Sequence, residues 1–148
     1  MLERMNRLRE LRGLRRGIAE REAKAARMAR DGFEKKVAAA RDEHARALSD
    51  AVTRRRATLD TLAAQQATPL NLARMANANA IIDREIDEAS WEAERAAAEL
   101  DRSEEELRGK QDVLAQFLRR EEATEGAIER IHDEQRHLED DAEEAADE

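Results

Sequence analysis

The chain has 148 residues, 42% of them charged, with a formal net charge of −8, two Phe, one Trp and no Tyr or Cys. So few large side chains cannot fill a globular core of this length, and without cysteine there is no disulfide framework, zinc–thiolate site or thiol nucleophile. No apolar run approaches the roughly 20 residues of a membrane span and the first residues lack an apolar signal core, which predicts a soluble cytoplasmic protein.

The first predicted element is a long helix, an arm over about residues 3–66. Its large apolar residues trace a stripe through Leu2, Met5, Leu8, Leu11, Leu14, Ile18, Ala25, Met28, Phe33, Val37, Ala40, Leu48, Val52, Leu59 and Leu62. The phase slips between Met28 and Leu48, which predicts a local change of supercoil there. Gly13, Gly17 and Gly32 lie inside this arm.

A turn follows at residues 67–69. Thr68 suits a helix N-cap, and Pro69, the one proline, suits the first helical position, where its missing N–H is not needed. Leu70, Leu72, Met75 and Ile81 surround this turn; some of them cap the hairpin end and the others leave an apolar patch fit for docking.

The second arm, about residues 70–138, keeps a heptad rhythm without a slip. Steps of four and three give Met75, Asn79, Ile82, Ile86, Ala89, Ala93, Ala96, Leu100, Ser103, Leu107, Lys110, Leu114, Phe117, Glu121, Thr124, Ile128, Ile131, Gln135, Leu138, Ala142 and Ala145. A repeat sustained that long marks a coiled coil. Asn79 within the seam reads as a polar residue that fixes register at a cost in stability. Residues 139–148, with seven acids, read as a frayed acidic tail.

Charge divides between the arms: residues 1–66 carry 17 Lys+Arg against 10 Asp+Glu, and residues 67–148 carry 10 against 25. A basic arm followed by an acidic arm favours folding back on itself, because two acidic arms from different chains would repel. The predicted fold class is therefore all-α: a long two-helix antiparallel coiled-coil hairpin, roughly 100 Å long at 1.5 Å per residue, in one domain. Opposed residues should have numbers adding to 135 or 136, setting Val52 near Ile82, Phe33 near Ser103, Met28 near Leu107, Ile18 near Phe117 and Leu8 near Ile128.

Catalytic and metal sites find no candidates in this pattern. Glu129/His132 and Glu134/His137 have the Glu-x-x-His spacing of di-iron bundles, but both pairs sit on one helix, and solvated surface is the better reading. His44 reads as a tolerated polar residue near the seam. Arg54, Arg55 and Arg56 could meet phosphates, yet no aromatic residues interleave and the chain is acidic, which argues against nucleic acid. Trp91 falls near the outermost heptad position, so it is either a partner anchor or is covered by neighbouring Arg and Glu stems. No cofactor is implied.

The basic opening from Met1 to Arg12 with its spaced apolar residues, the mid-chain turn, the size, and an acidic C-terminal region containing Phe117-Leu118-Arg119-Arg120-Glu121-Glu122 resemble the FliJ/YscO family. These are the central-stalk proteins of flagellar and virulence type III secretion, and the likeness is closer to the virulence branch. The resemblance implies a non-enzymatic, monomeric hairpin, cytoplasmic but held at a membrane-embedded apparatus. Its partners would be a hexameric export ATPase, the cytoplasmic ring of the export-gate protein, and secretion chaperones. The gate contact would map to Leu70, Leu72, Met75, Asn79, Ile82 and Ile86, although Asn79 and Met75 depart from the family pattern and the last four are also seam positions. The ATPase side would comprise Arg4, Arg7, Arg9, Arg12, Arg15 and Arg16 beside Glu129, Arg130 and Glu134. The competing expectation is a scaffolding coiled coil that dimerises through the same seam.

Overall fold

Alanine, leucine, glutamate and arginine dominate both arms, and all four favour helix. In the computed structural model the backbone is described for residues 2–65 and 67–147, and the side chains for residues 3–65 and 67–139. The side chains of Leu2, Ala142 and Ala145, placed in stripes above, and Gln66 lie outside the described residues. Two helices, α1 (Leu2–Ala64) and α2 (Pro69–Asp147), pack against each other as an all-α hairpin, with no strand among the described residues. The backbone of α2 stays helical to Asp147, so the helix does not stop at residue 138 as the sequence suggested.

The turn forms as its residues dictate. Thr68 is the N-cap: its Oγ1 accepts from the Asn71 N–H at 3.3 Å, and its carbonyl accepts the first helical bond from Leu72 N–H at 3.1 Å. Pro69 takes the first helical position, where no donor is needed. The α1 terminus tightens through a Gln65 N–H bond to the Leu62 carbonyl at 3.2 Å.

The paired segments form two compact units: residues 2–28 with 105–147, and Ala29–Glu104, which contains the turn. In the first unit Ala19, Ala26, Glu121, Thr124 and Ile128 are buried. Lys110 Nζ donates to Glu22 at 2.9 Å, Arg16 Nη1 donates to Glu121 Oε2 at 2.9 Å, and Arg12 donates to the Arg120 carbonyl. In the second unit Val37, Ala51, Ile82 and Ser103 are buried, and ion pairs join Arg30 to Glu104, Arg54 to Glu85 and Arg55 to Asp83.

These ion pairs report the register. The residue numbers of Arg16–Glu121, Glu22–Lys110, Arg30–Glu104, Arg54–Glu85 and Arg55–Asp83 add to 137, 132, 134, 139 and 138, a mean of 136. The antiparallel alignment read from the sequence is therefore the one that forms.

The faces of the two helices diverge from that reading in different ways. On α2, every heptad position from Met75 to Ile131 is buried or half-buried, while Gln135 and Leu138 are exposed. On α1 the predicted stripe is displaced. Leu8, Leu11, Leu14, Ile18, Met28, Leu48, Val52 and Leu59 are exposed. The inward line is Arg12, Arg16, Ala19, Ala23, Ala26, Arg30, Phe33, Val37, Ala40, His44, Ala47 and Ala51, each buried or half-buried. That line keeps steps of four and three without interruption, so the seam of α1 has no phase slip. Ile82 is 2% exposed while its expected partner Val52 is 70% exposed, because Ala51 turns inward in its place.

Candidate interaction surfaces

At the turn, the residues expected to meet a gate protein separate into two sets. Ile82 is buried, and Met75, Asn79 and Ile86 are half-buried in the seam against α1. Leu70 and Leu72 are exposed, and so is Ile81. On the α2 side of the turn the apolar residues left exposed are therefore Leu70, Leu72 and Ile81, and the 75–86 heptad positions serve the helix pair itself. Asn79 Oδ1 is buried without a hydrogen-bond partner. A buried acceptor left unpaired costs about 1–3 kcal/mol, so this seam position sacrifices stability.

The arginines expected on the ATPase side also divide. Arg4, Arg7, Arg9 and Arg15 are exposed, as are Glu129, Arg130 and Glu134. Arg12 and Arg16 are half-buried and engaged within the hairpin, Arg12 on the Arg120 carbonyl and Arg16 on Glu121. The Nε of Arg16 is buried and lies 3.4 Å from Glu20 Oε1 without hydrogen-bond geometry, so Arg16 is held by charge on both sides. The helix pair uses these two arginines, which leaves the other four facing solvent.

Trp91 is exposed at an outward heptad position, with the Arg95 guanidinium 5.5 Å from its ring centroid. A shallow groove beside it is lined by Ala40, Glu43, Glu85, Glu88, Ala89 and Glu92. The expected covering by a neighbouring Arg stem is present, and part of the ring remains open. His132 and His137 are exposed and His44 is half-buried at a seam position. Among the described residues no three His, Cys, Asp or Glu side chains gather as metal ligands, and no helix is long and apolar enough to cross a membrane.

Two cations have raised pKa values. Arg30 is raised first by its hydrogen bond to Asp31, then by the charges of Glu34, Asp31 and Glu104, against an opposing effect of desolvation. Lys110 is raised first by its hydrogen bond to Glu22 and then by the charge of the same carboxylate. Both groups sit at inward heptad positions, where opposite-charge pairs across the seam fix alignment.

The surfaces that the sequence reading missed are the exposed side chains of α1. A groove lined by Leu8, Leu11, Arg12, Arg15, Phe117 and Arg120 continues into one lined by Ile18, Glu22 and Val113. The available signal was the alanine line from Ala19 to Ala51, which holds the heptad without a slip and so marks the true seam. No family model, no curated protein and no solved structure matches this chain.

Proposed function

We propose that the protein is a non-enzymatic stalk or adaptor of a type III secretion export apparatus, linking a hexameric export ATPase to the export-gate protein. The observation that carries the reading is a helical hairpin with large apolar residues exposed at its turn, namely Leu70, Leu72 and Ile81. Solvent-facing leucines on a charged helix pair suit protein contact. The gate-facing surface in this proposal is Leu70, Leu72 and Ile81, with the 75–86 seam positions supporting it from beneath. The ATPase-facing surface comprises Arg4, Arg7, Arg9 and Arg15 with Glu129, Arg130 and Glu134, all exposed. The resemblance of the opening and the acidic C-terminal region to the FliJ/YscO family supplies the identity of the machine, and secretion chaperones are further partners in this reading.

Light scattering of the chain alone and mixed with its cognate export ATPase tests the proposal. A monomer alone and a complex with the hexamer support it. A stable dimer alone with no ATPase complex overturns it in favour of a scaffolding coiled coil.

A further inference from the structure

Over residues 11–28 the apolar residues of α1 that leave the seam do not scatter. Leu11, Leu14, Ile18, Ala25 and Met28 follow each other by three, four, seven and three residues, which is a heptad seam of its own with Arg21 at the one skipped step. Arg21 Nε donates to the Gly17 carbonyl at 3.1 Å, so the guanidinium lies back along α1. The four large members are 54%, 66%, 50% and 68% exposed. At 3.5 residues per turn, this outward line is centred about 150° round the helix from the inward seam. α1 thus presents two coiled-coil seams, and α2 covers only the alanine-rich one.

We propose that this outward seam docks one amphipathic helix of a different protein, with acidic residues flanking its apolar positions. Three observations select this occupant. The line is only two heptad positions wide, which suits a helix, whereas a membrane surface favours a broad apolar face. On the α1 side of the line residues 1–28 carry nine Lys+Arg against four Asp+Glu, a net of +5, and the exposed Arg15 and Arg120 stand at its groove, so this flank favours an acidic partner. The grooves alongside, lined by Leu8, Leu11, Ile18 and Val113, continue the apolar surface to the edge where Arg15 and Arg120 stand ready for flanking carboxylates. The proposal does not depend on which machine the protein serves.

The test uses the full chain and a synthetic helix of about three heptads, with Leu and Ile at the core positions and Glu at the flanks. Its twin carries Lys at the flanks. Binding is read by fluorescence anisotropy of the labelled peptides. The Glu peptide is expected to bind, the Lys twin at least about tenfold more weakly. The triple variant Leu11→Gln, Leu14→Gln, Ile18→Gln should lose at least about tenfold in affinity while helix content and melting temperature stay unchanged, since these side chains add little to the folded hairpin. Failure of the Glu peptide to bind, equal binding of the twin, or undiminished binding by the variant overturns the proposal. So does a dimer of the wild type that the variant abolishes, or capture by anionic phosphatidylserine vesicles in place of the peptide.

Discussion

The two helices use the same repeat with opposite assignments of large and small residues. α2 commits Ile82, Ile86, Leu100, Leu107, Leu114, Phe117, Ile128 and Ile131 to the seam. α1 meets them with Ala19, Ala23, Ala26, Ala40, Ala47 and Ala51 and keeps most of its leucines outside. Large against small is a stable way to fill a seam, because knobs from one helix need room in the other. The lesson is that an apolar stripe identifies a contact surface without naming the partner. On α2 the partner is α1; on α1 most of the leucines are left over after α2 has been satisfied.

The sharpest way to break this contrast is to truncate both kinds of residue. Ile82→Ala should cost about 2–4 kcal/mol and lower the melting midpoint, whereas Val52→Ala and Leu14→Ala should stay within about 0.5 kcal/mol. Urea unfolding followed by circular dichroism measures both, and a Leu14→Ala loss as large as that of Ile82→Ala would return Leu14 to the core. A smaller effect of opposite sign comes from Asn79, the one seam residue of α2 among the described residues with a buried unpaired oxygen. Asn79→Leu should raise stability by about 1–2 kcal/mol, and light scattering should detect any loss of a single register or oligomeric state. Gly32 comes next. A Cβ there would meet nothing within 4 Å and the residue is exposed, so Gly32→Ala should add about 0.5–1 kcal/mol through helix propensity alone.

The smallest effect is electrostatic. The folded pKa of Lys110 is raised above the ordinary 10.5 by Glu22, so its contribution is full below that value and disappears as pH rises through the folded value. The melting temperature should hold near pH 8 and fall by pH of about 11. Lys110→Gln should reduce that alkaline loss slightly, since the pair is solvent-exposed and weak.

The hairpin, its turn and its register were all legible in the sequence, each for a physical reason. Pro69 is the only proline, so the break had one place to fall, and Thr68 beside it is a ready N-cap. The α2 seam was legible because its unbroken heptad line holds most of its large residues, with Ile81, Trp91, Val113 and Leu118 among those left exposed. The α1 seam was not, since reading by size follows Leu11, Leu14, Val52 and Leu59, while burial follows Ala19, Ala26 and Ala51. Alanine is weakly apolar and abundant, so its periodicity carries little weight until a partner helix shows which face is occupied. The candidate surfaces inherited this difference: Leu70 and Leu72 were identifiable as turn residues, whereas the outward seam of α1 had been assigned to the core.

The alanine line also has a mechanical consequence. A methyl group is too short a knob to lock firmly into the opposing helix, so the axial hold of α1 rests on its few large inward residues, Phe33 and Val37, and on the turn capped by Thr68. Charge pairs across the seam, such as Arg16 on Glu121 and Lys110 on Glu22, add a smaller share. At 0.1 M salt the screening length is about 10 Å, so charges in contact are weakened less than charges farther apart. The resistance of this helix pair to sliding is therefore electrostatic only in part, and ionic strength can soften that part alone.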